Sequence, residues 1–238
     1  INDALHVFAA HEASANAARA TWSGKPPDAP KPMAIEQLAP FQAGNEFMDA
    51  MGGRVLPNGH SIMGTVMSTH STYSDVPGYA EMMRGAYGER AEAILKNSPQ
   101  NVILYPTLAI KGSPQTMRVL RPLGPDKTLV ESWAFRPKGA PEILLERSLM
   151  YNRITFSPMS LLAQDDIHVF EAVHRGLKAP GNEWVSLHRG ARADEPQSGE
   201  IDTTATNELM MRNQYRAWIE FMIAEPGRGP GNGAGALN

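Results

Sequence analysis

The chain contains 238 residues, of which 42% are hydrophobic and 20% charged, and its formal net charge is −3. This composition is typical of a globular protein with one large apolar core. The chain has no excess of basic residues that would favour binding to nucleic acids or anionic membranes. The absence of cysteine excludes a disulfide framework, a thiolate zinc site, a cysteine nucleophile and an iron–sulfur cluster within these residues. No apolar run approaches the roughly 20 residues of a membrane span, and we expect a cytoplasmic protein.

A helix is predicted at the start of the chain. Residues 3–20 are rich in Ala, Leu, Val and Phe and contain neither Gly nor Pro, a composition that favours α-helix. Because the chain begins at Ile1, directly before this helix, we expect it to be a fragment of a longer protein. The proline-rich residues 23–32 predict a loop.

A strand and two short helices are predicted next. Residues 60–67 follow the turn sequence Pro57-Asn58-Gly59 and alternate weakly, as in a β-strand. Residues 79–96 carry Ala, Met, Glu and Arg at helical spacing, and we expect two helices that are broken near Gly88.

The middle of the chain predicts an antiparallel meander, because turn sequences that contain Gly and Pro separate its apolar runs. Pro106, at the end of the first run, indicates a bulge or a sheet edge. Arginines on strands usually face solvent, and we expect this of Arg118, Arg121 and Arg136, although they could also recognise a carboxylated aromatic compound. The predicted strands are residues 101–105, 116–121 and 129–136.

Helices are predicted again in the C-terminal part. Pro141 and Glu142 are typical of a first helical turn, which begins a helix that extends to about Tyr151. A second helix is expected over residues 160–175, with Gly176 as a left-handed cap.

The last predicted helix covers residues 207–223 and carries an apolar stripe that we expect to face the core. The Gly- and Pro-rich residues 226–238 predict a disordered tail. Helices therefore bracket an antiparallel sheet, and the fold class is α+β with one domain over residues 1–225. The stripe consists of Met211, Tyr215, Trp218 and Met222.

Asp3, His6 and His11 form the pattern Asp-x2-His-x4-His in an apolar segment. A buried imidazole needs a partner for each ring nitrogen, and a metal is one such partner. Residues five positions apart on an ideal helix point about 140° away from each other. Both rings can therefore bind one metal only if the helix is bulged or broken between Val7 and Ala10. Zinc hydrolases that bind metal through a regular helix use i, i+4 spacing, which argues against such an enzyme.

Asp166 is the preferred candidate for a third ligand. It lies at helical spacing from Leu162, Val169 and Val173, so that it projects from an apolar stripe. A carboxylate there is costly to bury unless it is paired or bound to a metal. The alternative, Asp165, is expected to form a solvated pair with His168.

Two histidines and one carboxylate are the facial triad of non-haem Fe(II) oxygenases, which leaves coordination positions open. The whole pattern resembles the catalytic domain of Rieske non-haem iron aromatic-ring-hydroxylating oxygenases, in the α subunit. Besides the His6 and His11 segment, the matching parts occur in the expected order from Asp3 to about Leu177. They are Ile103-Leu104-Tyr105-Pro106, Lys138-Gly139-Ala140-Pro141-Glu142 and Asp165-Asp166.

The resemblance implies a helix-grip fold (Bet v 1-like or START-like), in which a twisted antiparallel sheet curls around α-helices. It implies that His6, His11 and Asp166 bind Fe(II), and that Asp3 hydrogen-bonds a ligand histidine and forms the electron-transfer bridge to a Rieske cluster in a neighbouring subunit. The residues expected to line the substrate pocket are Val7, Leu104, Thr107, Leu108 and Leu162.

The implied activity is hydroxylation of an aromatic ring with O2, as dioxygenation or monooxygenation, in aromatic hydrocarbon catabolism. Electrons from NAD(P)H would arrive through a reductase, a ferredoxin or both, and then through a Rieske [2Fe–2S] cluster. Since the cysteine and histidine ligands of that cluster are absent here, we expect the Rieske domain upstream of Ile1. The expected assembly is a trimer of α subunits, with small β subunits as further partners and no nucleic acid or membrane.

Two other functions remain open from the sequence. A helix-grip domain could bind or carry an apolar ligand without catalysis, and the histidines could belong to a zinc hydrolase. Ala163 and Gln164 stand where the family usually has an acidic residue before the aspartate pair, which leaves the substrate open. Metal content separates the hypotheses, because iron supports the oxygenase, zinc the hydrolase and an absence of metal the carrier.

Overall fold

The computed structural model describes residues 3–38, 41, 43–70, 72–112, 116–181, 183–196 and 198–224. The tail predicted at residues 226–238 lies outside the described residues. Within the described part, helices surround one antiparallel sheet, so the predicted α+β class is confirmed. No helix in these ranges combines the length and the apolar character that a membrane crossing requires.

The sheet has the strand order β6-β5-β4-β3-β2-β1-β7, and every pair of neighbouring strands is antiparallel. The strands are β1 (Gly53–Val55), β2 (Ser61–Met63), β3 (Asn101–Leu104), β4 (Leu108–Lys111), β5 (Thr116–Gly124), β6 (Lys127–Ala134) and β7 (Ile201–Thr203).

The helices of the described part are α1 (His6–Ala10), α2 (Glu12–Trp22), α3 (Met33–Leu38), α4 (Asn45–Ala50), α5 (Tyr79–Tyr87), α6 (Ala91–Lys96), α7 (Glu142–Phe156), α8 (Leu161–Gly176) and α9 (Leu209–Ile223). Helix α1 packs against α8, and α9 packs against β1 and the turn between β1 and β2. Gly59 of that turn has a φ of +79°, and a Cβ atom there would lie 2.9 Å from Cβ of Ala217 in α9. Glycine at this position therefore permits both the turn and the close approach of α9.

One face of the sheet, the inner face, packs against the interior of the domain. Side chains alternate between the two faces of a strand, and the strand register places one set of residues together on the inner face. These residues are buried, whereas the alternate residues are more exposed. The inner face includes Val55, Ser61, Met63, Asn101, Ile103, Ala109 and Thr116.

Two apolar clusters hold the helices together, and the first of them also packs helices on the sheet. The first joins the N-terminal segment, α4 and α9 to β1 and β2, through residues such as Met48, Met51 and Met210. The second joins α5, α6 and α7, with Leu144 fully buried at its centre. The N-terminal segment therefore lies over the inner face of the sheet, and α8 packs against α1 in this segment, so that the two carry the candidate metal ligands side by side.

The predicted strands and most predicted helices are confirmed, including the break at Gly88. Three predictions are wrong. Pro106 lies in the turn between two interior strands, β3 and β4, and Gly176 ends α8 without a left-handed φ. The predicted core stripe of α9 is exposed, since Tyr215, Trp218 and Met222 face outwards and the helix buries Met210 and Ala217 instead.

Candidate metal centre

A break between α1 and α2 brings two histidines together. Helix α1 ends at Ala10, and His11 adopts φ −114° and ψ 15° before α2 begins at Glu12. The break was expected before Ala10 but lies at His11 itself. It turns the His11 ring towards His6, so that the two ring centroids lie 5.3 Å apart.

Helix α8 supplies a carboxylate to the same point. Oδ1 of Asp166 lies 3.2 Å from Nε2 of His11 and 3.6 Å from Nε2 of His6. One ligand atom from each of the three residues lies within 4.8 Å of the other two. Two ligands at right angles on bonds of roughly 2.1 Å are themselves roughly 3 Å apart. The observed separations therefore fit a first-row metal ion that binds all three residues on one face.

The other nitrogen of each imidazole is held by a neighbouring oxygen. Nδ1 of His6 hydrogen-bonds the backbone carbonyl oxygen of Asp3. Nδ1 of His11 lies 3.4 Å from Oδ2 of Asp165. Such partners fix the tautomer in which Nε2 is free to bind a metal. Asp165 was expected to pair with His168 in solvent, but it lies against His11 because α8 packs on α1.

Burial and charge set the protonation of the three residues. Burial lowers the pKa of His6 despite its hydrogen bond to Asp3. Burial also opposes charge on His11, but the carboxylates of Asp166 and Asp165 outweigh it and raise the pKa of this imidazole. Burial acts to raise the pKa of Asp166, whereas its hydrogen bond with His11 and the nearby imidazoles lower it overall. An ionised carboxylate beside a neutral His6 is the form that binds metal.

Asp3 has two different contacts with its surroundings. Its backbone carbonyl accepts from His6, whereas Oδ1 of its carboxylate accepts from the backbone N–H of Leu5 and from Nη2 of Arg189, each at 3.0 Å. The hydrogen bond expected between Asp3 and a ligand histidine is thus made by the main chain of Asp3. Arg189 also contacts Glu208 and the carbonyl oxygen of Thr206, and so ties this segment to the start of α9.

A cavity opens beside the three candidate ligands. Val7 and Leu162, both predicted pocket residues, line it. Leu104, Thr107 and Leu108, also predicted, do not line this cavity. Leu104 pairs with Leu108 on the outer face of the sheet, opposite to Ile103, and is 39% exposed. Further apolar residues of the cavity wall are Phe41, Met48, Met51, Met63 and Phe156.

The polar part of the cavity wall was not predicted from the sequence. Lys111 and Arg118 reach it from the inner face of β4 and β5, so the expectation that Arg118 faces solvent is wrong. Arg121 on β5 and Arg136, which follows the end of β6, are exposed as expected and pair with Glu131 and Glu142. The other polar residues of the wall include Thr69, His70, Gln100, Asn101, Tyr151 and Thr155.

Comparison with known proteins identifies the family. The model of the ring-hydroxylating α subunit (catalytic domain) matches residues 2–224. The chain belongs to this family. Ring-hydroxylating α subunits are oxygenase components, and the predicted resemblance is confirmed.

Three relatives illustrate how this ring-hydroxylating domain compares. The large subunit of 2-halobenzoate 1,2-dioxygenase from Burkholderia cepacia is 29% identical over 112 residues, which are 47% of this chain and 24% of that subunit. The α subunit of benzene 1,2-dioxygenase from Pseudomonas putida is 24% identical over 211 residues, which cover 82% and 45% of the two chains. The crystal structure of naphthalene 1,2-dioxygenase from Rhodococcus sp. bound to indole matches with a TM-score of 0.58 and 19% identity, over 92% and 51%.

The structural likeness of this ring-hydroxylating domain to naphthalene 1,2-dioxygenase confirms the predicted helix-grip fold. The chain spans about half or less of the length of these three relatives.

Proposed function

We propose that this domain is the mononuclear-iron catalytic domain, over residues 1–225, of a terminal oxygenase that hydroxylates an aromatic ring with O2. The observation that carries the proposal is the convergence of His6, His11 and Asp166, whose candidate ligand atoms lie within 4.8 Å of one another beside a cavity. Membership of the ring-hydroxylating family supports an oxygenase over a carrier or a zinc hydrolase.

Fe(II) is the metal that this donor set would hold. Bound there, iron would supply the open coordination positions and the redox chemistry that O2 activation requires. The protein would contribute geometry, because the Asp3 carbonyl and Asp165 orient the two imidazoles. Val7 and Leu162 would contribute part of an apolar wall that positions the ring and excludes water.

Asp3 is the proposed bridge for electrons from the Rieske [2Fe–2S] cluster of a neighbouring subunit. It lies directly before the His6 segment, and its carboxylate is about one-third exposed, so a partner subunit could reach it. Such delivery requires a ring of subunits, and we propose a trimer of α subunits with small β subunits as further partners. A ferredoxin, a reductase or both would supply electrons from NAD(P)H, which agrees with a cytoplasmic location.

The substrate proposed here is an aromatic compound. The names of the relatives include one acid, 2-halobenzoate, and one neutral hydrocarbon, benzene. They support an aromatic ring as the shared feature and leave its substituents open, as well as the choice between one and two added oxygen atoms.

The metal content of purified variants tests the proposal. The full-length protein, reconstituted anaerobically with Fe(II), should contain iron, and His6→Ala, His11→Ala or Asp166→Ala should each lose most of it. Matched controls are His168→Ala and Glu171→Gln, because both residues are exposed on α8 and lie outside the triad. Elemental analysis after gel filtration reads out the result, and circular dichroism verifies the fold.

The alternatives give different results in the same experiment. Zinc retained from a metal-replete medium in place of iron would support a hydrolase. A protein without bound metal, whose uptake of an aromatic ligand is unchanged by His6→Ala and Asp166→Ala, would support the carrier. Either outcome would overturn the oxygenase proposal.

A further inference from the structure

Two cationic side chains extend into the cavity from neighbouring strands. In the register of β4 and β5, Lys111 pairs with Thr116 and Ala109 pairs with Arg118. Residues two positions apart on a strand share a face, so Lys111 and Arg118 are diagonal neighbours on the inner face. Diagonal neighbours in an antiparallel pair have Cα atoms roughly 7–8 Å apart. Both side chains line the cavity that contains the candidate metal ligands.

Neither cation has an acidic partner within hydrogen-bonding range among the residues that the structure describes. Nζ of Lys111 lies 5.8 Å from the centroid of the Tyr151 ring, and Cζ of Arg118 lies 4.5 Å from that of Phe156. Burial, and to a smaller extent the charge of Arg118 close by, lower the pKa of Lys111 to about 7. Enclosed cations without a counter-charge are costly, and proteins retain them where a ligand supplies that charge.

The carboxylates of the cavity wall cannot supply the counter-charge for Lys111 and Arg118. Asp3 already forms an ion pair with Arg189. Asp166 is the carboxylate whose charge acts on both Lys111 and Arg118. If Asp166 binds a divalent metal, as proposed above, that ion neutralises it, and the cavity becomes more positive. The loaded site would therefore attract an anion more strongly than the metal-free site.

We propose that the cavity binds an aromatic carboxylate, with the carboxylate group held by Lys111 and Arg118 and the ring lying against the apolar wall. This inference rests on the proposed function and narrows its substrate class from aromatic compounds to aromatic acids.

The geometry around the two cations favours a carboxylate as the anion. The guanidinium of Arg118 lies over the Phe156 ring, a contact that orders the side chain and leaves its N–H groups available for a planar, two-oxygen partner. Lys111 adds a point charge from the next strand. Met63 and Leu162 are buried residues of the same wall and provide apolar surface for a ring.

The test compares an acid with neutral molecules of the same shape. Calorimetry of the full-length protein, both free of metal and loaded with Fe(II), measures binding of benzoate, benzamide and toluene. We expect benzoate to bind at least about 10-fold more tightly than either neutral compound, whether or not the metal is present. Because hydrogen bonds to charged groups are worth more than neutral ones, Lys111→Met and Arg118→Met should each weaken benzoate binding about 10- to 100-fold and leave toluene binding nearly unchanged.

Two kinds of control accompany the variants. Arg121→Met removes an exposed arginine from the same strand, one that pairs with Glu131, and should not change benzoate binding. Lys111→Arg should restore part of the affinity, because it restores the charge. The unmodified protein with the three compounds tests the inference even if a variant fails to fold.

Equal affinity for benzoate and toluene in the unmodified protein would overturn the inference, as would benzoate binding that needs the metal and ignores Lys111 and Arg118. The latter would mean that the carboxylate binds the metal. Iron content, measured in the same preparations, separates this result from failure of the proposed function. A protein that binds benzoate through the two cations but takes up no iron would refute the oxygenase and keep the anion site.

Discussion

Oδ2 of Asp165 lies 3.4 Å from Nδ1 of His11, while Nε2 of the same ring lies 3.2 Å from Oδ1 of Asp166. Two consecutive residues of one helix thus contact the two nitrogens of a single imidazole. The His11 side chain is almost completely buried between them. The two carboxylates therefore have different roles. Asp166 belongs to the cluster of candidate ligands, whereas Asp165 contacts the imidazole nitrogen that points away from this cluster.

Asp165→Ala should weaken Fe(II) binding about 10- to 100-fold, because loss of a partner behind a ligand histidine has effects of that size. Asp166→Ala should abolish tight binding. Competition with a chelator of known affinity measures both constants, with Glu171→Gln as the control on the same helix. Equal losses for Asp165→Ala and Asp166→Ala would contradict the distinction between the two carboxylates.

Asp3→Ala should retain near-normal iron content, because the oxygen that holds Nδ1 of His6 belongs to the backbone and survives the substitution. It should lower turnover at least about 10-fold if the carboxylate is the electron bridge, and it should cost about 1 kcal/mol of stability through loss of the hydrogen bonds from the Leu5 N–H and from Arg189. Iron analysis and steady-state oxygen consumption measure the two effects. Loss of iron from a folded Asp3→Ala protein would show that the side chain is needed at the metal site.

Leu162→Ala should reduce the free energy of unfolding by about 2–5 kcal/mol, as expected for truncation of a core leucine. Leu162 is 1% exposed beside the cavity, whereas Leu104 is 39% exposed on the outer face of the sheet. Leu104→Ala should therefore cost less than about 1 kcal/mol and leave substrate affinity unchanged. Chemical denaturation and ligand titration check both expectations, and a larger effect at Leu104 would contradict the assigned faces.

Glu195 should contribute stability that depends on pH. Its carboxylate accepts hydrogen bonds from Arg212 and Arg216, and although burial opposes its charge, these arginines lower its pKa below the usual 4.5. A carboxyl group with a lowered folded-state pKa stabilises the protein above its unfolded-state pKa, and this contribution is lost as the pH falls through the folded-state value.

Glu195→Gln should therefore lower the unfolding free energy by about 1–3 kcal/mol at pH 7, and the difference from the unmodified protein should shrink below about pH 4.5. Urea denaturation at several pH values measures it. Asp194→Asn is the matched control, because Asp194 is exposed and pairs with Arg192. A difference that stays constant from pH 7 to pH 3.5 would show that the charge of Glu195 is not its source.

The sequence determined much of the fold because its signals are local. Strands β3, β5 and β6 and the long helices follow from apolar runs, turn residues and helical spacing. The three-residue strands β1 and β7 and the short helices α3 and α4 were not predicted, since so few residues carry too little periodic signal. On α9, periodicity identified an apolar stripe but not the face that packs inwards. The inward face is the one that carries Ala217, which packs closely against Gly59.

At the site, the residue types and their order along the chain were enough to select His6, His11 and Asp166 as candidate ligands. Only the tertiary structure decided where the helix breaks, that the Asp3 carbonyl rather than its carboxylate meets His6, and that Asp165 lies behind His11. It also decided the polar wall of the cavity. An alternating strand is ordinarily oriented with its apolar side inwards, but β5 turns Thr116 and Arg118 inwards because the cavity, and not a solid core, lies beneath it. Strand alternation defines two faces, and only packing against the rest of the chain determines which face is inside.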